Sequence, residues 1–388
     1  MKVVATERIP IKMWLEDLEE GAMEQAKNLA NVPYSWHHIA IMPDSHKGFG
    51  MPIGSVLVTK NVIVPNAVGV DIGCGMNAVR TTIRNEDIMY NVIEDIMKRV
   101  ERDIPVGFSQ NKESLKHLLP VPEHYHVSEY SVVNREYEKS GYQLGTLGGG
   151  NHFIEMDAGS DGYVYLILHS GSRGIGNQVG QHYNKRAEAI NEKYYQLDTV
   201  KKELAFLPVD DEEAVEYVRE MNFCFAYAEK SRAIMMDKFK QDVLEVIPYA
   251  SFDQEITISH NFASLEYHFG RNVWVHRKGA VQAYEGQKGI IAGSQGTASY
   301  IVEGKGNIDS FKTCSHGAGR VMGRKEAQRK LSLNEEQEKM EGIYNNMRTR
   351  ESLDEAPSAY KDIEEVMKQQ DDLVKILVKL KPLGVVKG

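Results

Sequence analysis

The chain has 388 residues, 42% hydrophobic and 26% charged, which is enough to form a globular core without disulfide bonds. Its three cysteines, Cys74, Cys224 and Cys314, argue against a disulfide framework and for a reducing compartment. The net charge of −9 argues against general nucleic-acid binding, although a basic patch can form on an acidic protein. The N-terminus lacks a signal-peptide pattern, and no stretch approaches the roughly 20 apolar residues of a membrane span. We therefore expect a soluble cytoplasmic protein that does not bind membranes.

The first half of the chain predicts helices and strands in irregular order. Residues 15–30 have apolar side chains at helical spacing. The short β-branched stretches between residues 50 and 84 are typical of paired strands. Residues 145–155 and 164–176 resemble strands that end in glycine-rich loops.

The second half begins with a helical region at about residues 182–247, broken near Leu207-Pro208, in which residues 216–243 form one long helix. Strand character returns in ITISHNFASLEY and NVWVHRKGA, a charged helix is expected near residues 334–350, and the chain ends in the strand-like VVKG. Because the order has no βαβ regularity, we predict an α+β fold in which helices flank mixed central sheets.

Five side chains with metal-binding chemistry lie where apolar strands meet glycine-rich loops. Asp71 and Cys74 share the loop VGVDIGCGM, while His152, His169 and His260 each stand at a predicted strand boundary. A single strand-end histidine is more often a core residue, and a lone Cys is usually buried without function. The shared context of all five favours a site for zinc, manganese, iron or cobalt.

The loop CSHGAGR is a second candidate site. Glycine amides can approach a phosphate closely, Arg320 can pair with its oxygens, and a neutral His316 can attack phosphorus. A glycine-rich turn around a structural histidine is the alternative. Residues 320–330 form the most basic stretch, which composition alone assigns to a solvated helix face. The chain has no Walker A motif and no GxGxxG that opens a helix after a strand.

Ten motifs in the same order resemble the RtcB family of GTP-dependent RNA ligases. They are MPDSHKGFGMPIGSV, VPNAVGVDIGCGMNA, QLGTLGGGNHFIE, HSGSRGIG, SHNFA, VHRKGA, GSQGTASY, CSHGAGR, DEAPSAYKDI and VVKG. The resemblance implies an RtcB-like fold, with residues 1–388 as a single catalytic domain and about 182–247 as a helical insertion within it. It also implies joining of an RNA 3′-phosphate or 2′,3′-cyclic phosphate end to a 5′-hydroxyl end, in RNA repair or tRNA splicing.

The resemblance also implies cofactors and residue roles. Two Mn²⁺ ions, or Zn²⁺ or Co²⁺ instead, would share Cys74 as bridging ligand, with the other four candidates completing the site. GTP would guanylylate His316. The residues implied in nucleotide binding are Asn151, Phe153, Glu155, Ser294, His316, Gly317, Ala318, Gly319, Tyr360 and Lys387. Phe153 and Tyr360 would flank the guanine ring, although plain core packing is the alternative for these two aromatics.

The chain departs from the family pattern at three places. It has Ala292-Gly-Ser-Gln295-Gly-Thr for the usual PGSMGT, Met322-Gly323-Arg324 for MSR, and Ser231-Arg232 for an Asn-Arg pair in the long helix of the RNA-binding region. Because the metal ligands and His316 are intact, we expect catalysis to survive. The departures bear on guanine contact and on the choice of RNA.

Two other functions remain open at this point. One is a metal-dependent phosphoesterase that opens cyclic phosphates without sealing, and the other is an RNA-end-binding protein without turnover. The predicted RNA contacts are Arg173, Arg277, Lys278, Arg320 and Arg324. An activating partner such as archease is also left open.

Overall fold

The computed structural model describes residues 1–194 and 196–388. Its strands are β1 (Lys2–Val4), β2 (Ile11–Met13), β3 (Ile39–His46), β4 (Ile53–Thr59), β5 (Val62–Ile63), β6 (Gly75–Arg84), β7 (Phe153–Gly159), β8 (Tyr163–Ser170), β9 (Leu207–Pro208), β10 (Ile256–Ser259), β11 (Asn261–His268), β12 (Arg271–Lys278), β13 (Ala280–Gln282), β14 (Lys288–Ile291), β15 (Ser299–Gly304), β16 (Thr313–Ser315), β17 (Tyr344–Asn345) and β18 (Val374–Lys387). Its α-helices are α1 (Glu20–Asn31), α2 (Tyr90–Asp103), α3 (Val132–Gln143), α4 (Arg173–Lys193), α5 (Leu197–Lys201), α6 (Glu212–Val246), α7 (Arg324–Lys330), α8 (Leu333–Lys339) and α9 (Ile363–Lys368).

Two mixed sheets form the centre of the molecule. The six-stranded sheet has the order β1-β2-β3-β4-β12-β11, and the eight-stranded sheet has the order β10-β6-β8-β7-β18-β15-β14, with β17 added beside β18. Side chains of both sheets share one core, for example Val56 and Val275 from the first and Met76 and Ile167 from the second. The α+β prediction with mixed central sheets is therefore confirmed.

The eight-stranded sheet is buried on both faces because its apolar side chains alternate. On β8, Ile167 points into the core shared with the six-stranded sheet, while Leu166 and Leu168 pack in a second core with α2 and α6. The 35-residue α6 begins at Glu212 and is capped by Asp211, whose side chain accepts a hydrogen bond from the Glu213 amide. This helix packs against the face of the eight-stranded sheet that points away from the six-stranded sheet.

The helical character of residues 182–247 and the break near Leu207-Pro208 are confirmed, since α4, α5 and α6 surround the short strand β9. Strands also form where ITISHNFASLEY, NVWVHRKGA and the terminal VVKG predict them. None of the helices among the described residues has the length and apolar character needed to cross a membrane.

Several predicted elements are corrected. The strands β4 and β6 belong to different sheets, so the stretches between residues 50 and 84 do not pair with each other. The glycine run before His152 precedes β7 instead of ending a strand, because Gly148 and Gly150 have φ of 88° and 75°, outside the strand region. The first helix begins at Glu20. The charged helix near residue 334 ends at Lys339, shortly before Gly342 with φ of 80°.

Candidate active site

One edge of the eight-stranded sheet gathers the predicted metal ligands. Cys74 comes directly before β6, His169 lies at the end of β8, His260 follows β10 and His152 precedes β7. Antiparallel pairing places these points side by side, since Gly75 lies opposite both Ser170 and Ser259, and Phe153 lies opposite His169. Residues almost 200 positions apart in sequence thus share one edge because their strands are neighbours.

Cys74 stands at the centre of this cluster. Its Sγ lies 3.2 Å from Nε2 of His169 and 3.5 Å from Nε2 of His152. The ligand atoms of Cys74, His169 and His260 lie within 4.8 Å of one another, and so do those of Asp71, Cys74 and His152. Two ligand groups that share one sulfur fit a pair of metal ions bridged by a thiolate.

Backbone carbonyls orient two of the imidazole rings. Nδ1 of His152 donates to the Leu147 carbonyl at 3.0 Å, and Nδ1 of His169 donates to the Asn151 carbonyl at 3.1 Å. Nε2 of each ring therefore faces the cluster, where Nε2 of His152 lies 3.0 Å from Oδ2 of Asp71 and Nε2 of His169 lies 3.3 Å from Nε2 of His260. Burial lowers the pKa of His169 and His260 well below the usual value, so both rings are neutral, as ligands must be.

The carboxylate of Asp71 is ionised. Burial acts to raise its pKa, but the hydrogen bond and charge interaction with His152, together with the hydrogen bond with Cys74, lower it to about 2. Burial and the charge of Asp71 raise the pKa of the Cys74 thiol, so a cation at the cluster would be needed to hold the thiolate. The donor set and its geometry fit a divalent metal site.

His316 lies beside the cluster, with its ring centroid 4.8 Å from that of His260. Its Nδ1 is 2.7 Å from Oδ2 of Asp44, which also accepts from the amides of His316 and Gly317 at 3.1 and 3.2 Å. Asp44 is fully buried in β3. Burial acts to raise the pKa of Asp44, but the hydrogen bond and charge of His316 keep it below the usual value. The contact identifies Nδ1 of His316 as the hydrogen-bond donor to Asp44.

The loop after His316 can approach this aspartate closely because Gly319 has no side chain. A Cβ at Gly319, whose φ is 74°, would lie 1.9 Å from the Asp44 carbonyl oxygen. Sequence reasoning missed Asp44, since it stands 272 positions before His316. Its place in the motif MPDSHKGFG is the one signal in the sequence that could have pointed to it.

A cavity of about 560 Å³ joins the metal cluster, His316 and the remaining nucleotide-binding candidates. Every residue implied in nucleotide binding lines this cavity. Lys387, opposite Phe153 in the pairing of β18 with β7, places Nζ 3.3 Å from the Asn151 carbonyl and 5.4 Å from the Phe153 ring centroid. The C-terminus thus reaches the site, as its predicted role requires.

Glu355, which was also missed, forms a charged node with four side chains that line this cavity. It is almost fully buried, and its Oε1 accepts from Arg320 and from Arg324, each at 3.0 Å. Tyr360 donates to its Oε2, and the Lys387 ammonium lies 3.8 Å away. Burial acts to raise the pKa of Glu355, but these three cations hold it below the usual value.

A pair of carboxyl groups lies on β7, and one of the two, Glu155, lines the cavity. Glu155 and Asp157 are two residues apart, point to the same face and are both buried. Burial raises the pKa of Asp157 to about 8, and burial together with the charge of Asp157 raises that of Glu155 well above the usual value. At neutral pH this pair therefore retains protons.

The predicted RNA contacts lie in different environments. Lys278, Arg320 and Arg324 line the cavity, although Nζ of Lys278 already donates to the Phe49 and Asn66 carbonyls. Arg173 donates to Thr146 and to the Gly107 carbonyl behind the glycine run.

The structure corrects the prediction for Arg277. Its side chain is fully buried, and its guanidinium donates to Glu266, Thr313 and the Phe311 carbonyl. A phosphate cannot reach this group, so we do not retain Arg277 as an RNA contact.

Comparison with known proteins identifies the family. A family model described as tRNA-splicing ligase RtcB matches residues 25–388. The chain belongs to the RtcB family. It is 38% identical to the RNA-splicing ligase RtcB of Escherichia coli K12 over 409 aligned residues, which cover 100% of this chain and 99% of that protein. It is 31% identical to the tRNA-splicing ligase RtcB of Methanococcus maripaludis and 28% identical to that of Thermococcus kodakarensis, with 98% of this chain and 95% of each relative covered.

One of the three departures from the usual RtcB pattern, at Ala292 and Gln295, lines the cavity, and a second, Gly323, directly precedes the cavity-lining Arg324. Nε2 of Gln295 donates to the Glu355 carbonyl at 2.7 Å. This bond connects the loop that carries Ser294 and Gln295 to the segment that carries Glu355. Gly323 precedes α7 in open space, where a Cβ would meet nothing within 4 Å. The third departure, Ser231-Arg232, is fully buried in α6.

Proposed function

We propose that the protein is a GTP-dependent RNA ligase that joins a 3′-phosphate or 2′,3′-cyclic phosphate end to a 5′-hydroxyl end. The observation that carries the proposal is the Asp44–His316 pair, which lies beside the Cys74 cluster. The residues implied in nucleotide binding line the same cavity. Family membership supports RNA as the substrate, because the relatives are named RNA-splicing or tRNA-splicing ligases.

His316 is the proposed nucleophile toward GTP. Nδ1–H donates a hydrogen bond to Asp44, so the Nε2 lone pair is the attacking group. The Asp44 carboxylate stabilises the positive charge that the ring acquires on attack. A bond forms between Nε2 and the α-phosphorus while the bond from that phosphorus to the bridging oxygen breaks, and pyrophosphate leaves. The product is a guanylylated His316.

The RNA ends then react in two further transfers. An oxygen of the RNA 3′-phosphate attacks the α-phosphorus, the P–N bond breaks, and His316 is regenerated. The 5′-hydroxyl next attacks the phosphorus of the activated 3′ end, loses its proton, and displaces GMP. Asn151 would hold a phosphate of the nucleotide. The other proposed nucleotide contacts are Phe153, Glu155, Ser294, Tyr360 and Lys387.

Two Mn²⁺ ions, with Zn²⁺ or Co²⁺ as alternatives, are the proposed cofactors. Asp71, Cys74 and His152 would hold one ion, and Cys74, His169 and His260 the other. When bound, such ions stabilise negative charge on phosphate oxygens. The basic side chains Arg173, Lys278, Arg320 and Arg324 are the proposed RNA contacts. An archease-like activator remains a proposed partner.

Labelling with α-³²P GTP and Mn²⁺ tests this function. Wild type should retain an acid-labile label on a denaturing gel, and His316→Ala should retain none. A wild type that binds Mn²⁺ but takes no label, and opens a 2′,3′-cyclic phosphate even with His316→Ala, would contradict the ligase and support the phosphoesterase.

A further inference from the structure

Arg232, in the middle of α6, is a positively charged residue with no role in the proposed chemistry. Arg232 is fully buried, and its neighbour Ser231 is buried beside it. An arginine loses most of its hydration at such a position, which costs several kcal/mol unless its N–H groups find partners. Its hydrogen bonds therefore indicate what the residue does.

The guanidinium of Arg232 bonds to four neutral acceptors. Nη1 donates to the Gly73 carbonyl at 2.8 Å and to the Ser170 carbonyl at 3.0 Å. Nη2 donates to Oγ of Ser259 at 3.2 Å, and Nε donates to Oδ1 of Asn77 at 2.9 Å. None of these partners is a carboxylate, so Arg232 does not serve as half of an ion pair with them.

Three of these acceptors are direct sequence neighbours of the proposed metal ligands. Gly73 precedes Cys74, Ser170 follows His169, and Ser259 precedes His260. One guanidinium thus joins the three segments that carry one complete ligand group. The adjacent Oγ of Ser231 accepts from the Gly145 amide at 3.0 Å, at the start of the loop that leads to His152.

We infer that Arg232 is a positioning residue of the metal centre, which holds the segments of Cys74, His169 and His260 at the separation that binds metal. Its planar fork sets the angles between its acceptors, whereas the three donors of a lysine on a flexible stem do not. The inference rests on the metal site of the proposed function. It gives the buried Ser231-Arg232 pair a role in placing the metal ligands.

Metal titration separates this role from a general structural one. Metal-free wild type and Arg232→Lys are titrated with Co²⁺ against a competing chelator, with the thiolate absorption band as readout, and their metal-free Tm values are compared. Arg232→Lys should bind about 10- to 100-fold more weakly, as expected for loss of a residue that orients ligands. Arg277→Lys is the matched control, because Arg277 is equally buried but bonds to Glu266. It should lower the Tm without changing the metal affinity.

A milder variant covers the case in which Arg232→Lys does not fold. Ser259→Ala removes one acceptor of Arg232 and should weaken metal binding about 2- to 10-fold. Wild-type affinity in a folded Arg232→Lys, or in Ser259→Ala if the first does not fold, would overturn the inference and leave the metal site standing. A wild type that binds no metal would instead overturn the metal part of the proposed function, and the inference with it.

Discussion

A histidine attacks phosphorus only if one ring nitrogen is unprotonated and correctly aimed, and we propose that Asp44 provides both conditions for His316. Asp44 receives three hydrogen bonds at one oxygen, from the His316 ring and from two backbone amides. These bonds fix the position of the carboxylate. In the proposed mechanism they consequently select the tautomer with a free Nε2.

Asp44→Asn should slow guanylylation on the order of 10³-fold, because an amide that donates to Nδ1 would leave the proton on Nε2. The check is the single-turnover rate of labelling with α-³²P GTP. GTP affinity, measured in parallel by calorimetry, should remain close to that of wild type. Labelling at the wild-type rate would mean that Asp44 does not set the tautomer.

At the scale of elements, the antiparallel edge of the eight-stranded sheet explains how the site assembles. The sequence predicted that each candidate ligand lies at a strand boundary, and the structure places His152, His169 and His260 there. Their convergence depends on strand order, which local patterns do not encode. The partners of His316 and Lys387, namely Asp44 and Glu355, were missed for the same reason, since each lies on a distant segment of the chain.

The burial of charged side chains and the backbone angles of glycines are further features that local sequence patterns do not predict. Arg277 and Arg232 carry the same charge as surface arginines, and their sequence context does not show that both are fully buried. The apolar residues around the glycine run predict a strand that ends in this loop, whereas β7 follows the loop. The positive φ angles at Gly148 and Gly150 exclude strand conformation there, and they can be known only from the folded backbone.

The last residues of β18 provide a test at this scale. Lys387→Met keeps the length of the side chain but removes the ammonium beside Asn151 and Glu355, and should weaken GTP binding about 10- to 100-fold if that ammonium contacts the nucleotide. Lys379→Met on the same strand is the control, because Lys379 pairs with Glu364 away from the cavity. Equal affinities of the two variants, measured by calorimetry, would argue against a role for the C-terminus in GTP binding.

The buried acid pair on β7 predicts a dependence of stability on pH. The pKa of Asp157 is raised from an ordinary value near 3.9 to about 8. A raised acid pKa contributes stability that is present in full below about pH 4 and is lost as pH rises to about 8. Asp157→Asn cannot ionise, so its Tm relative to wild type should increase between pH 5 and pH 8.

Thermal unfolding at several pH values checks this expectation. The exposed Asp210, changed to Asn, is the control and should follow the wild type across the range. A constant Tm difference between Asp157→Asn and wild type would show that the carboxyl is already ionised in the folded protein.

The whole molecule combines a net charge of −9 with basic side chains at the cavity. The acidic surface repels nucleic acid elsewhere, so phosphate binding should concentrate at the mouth of the site. Arg324 is the most exposed of the cations paired with Glu355, with 52% of its side chain accessible, and it begins α7. This position suits contact with an RNA end that enters the cavity.

RNA affinity should therefore fall steeply with salt, and Arg324→Ala should reduce the slope of log K against log salt by about 0.7 for one lost phosphate contact. Arg329→Ala on the same helix is the control, because Arg329 is exposed but does not line the cavity. Fluorescence anisotropy with a labelled single-stranded RNA gives both slopes. Identical slopes for Arg324→Ala and wild type would remove Arg324 from the RNA contacts.

Sealing of defined RNA ends tests the central claim most directly. Wild type with Mn²⁺ and GTP should join a 3′-phosphate RNA to a 5′-hydroxyl RNA, should leave a 3′-hydroxyl with a 5′-phosphate unjoined, and should lose sealing on His316→Ala. Absence of joined product from the metal-loaded wild type, or undiminished sealing by His316→Ala, would contradict the account.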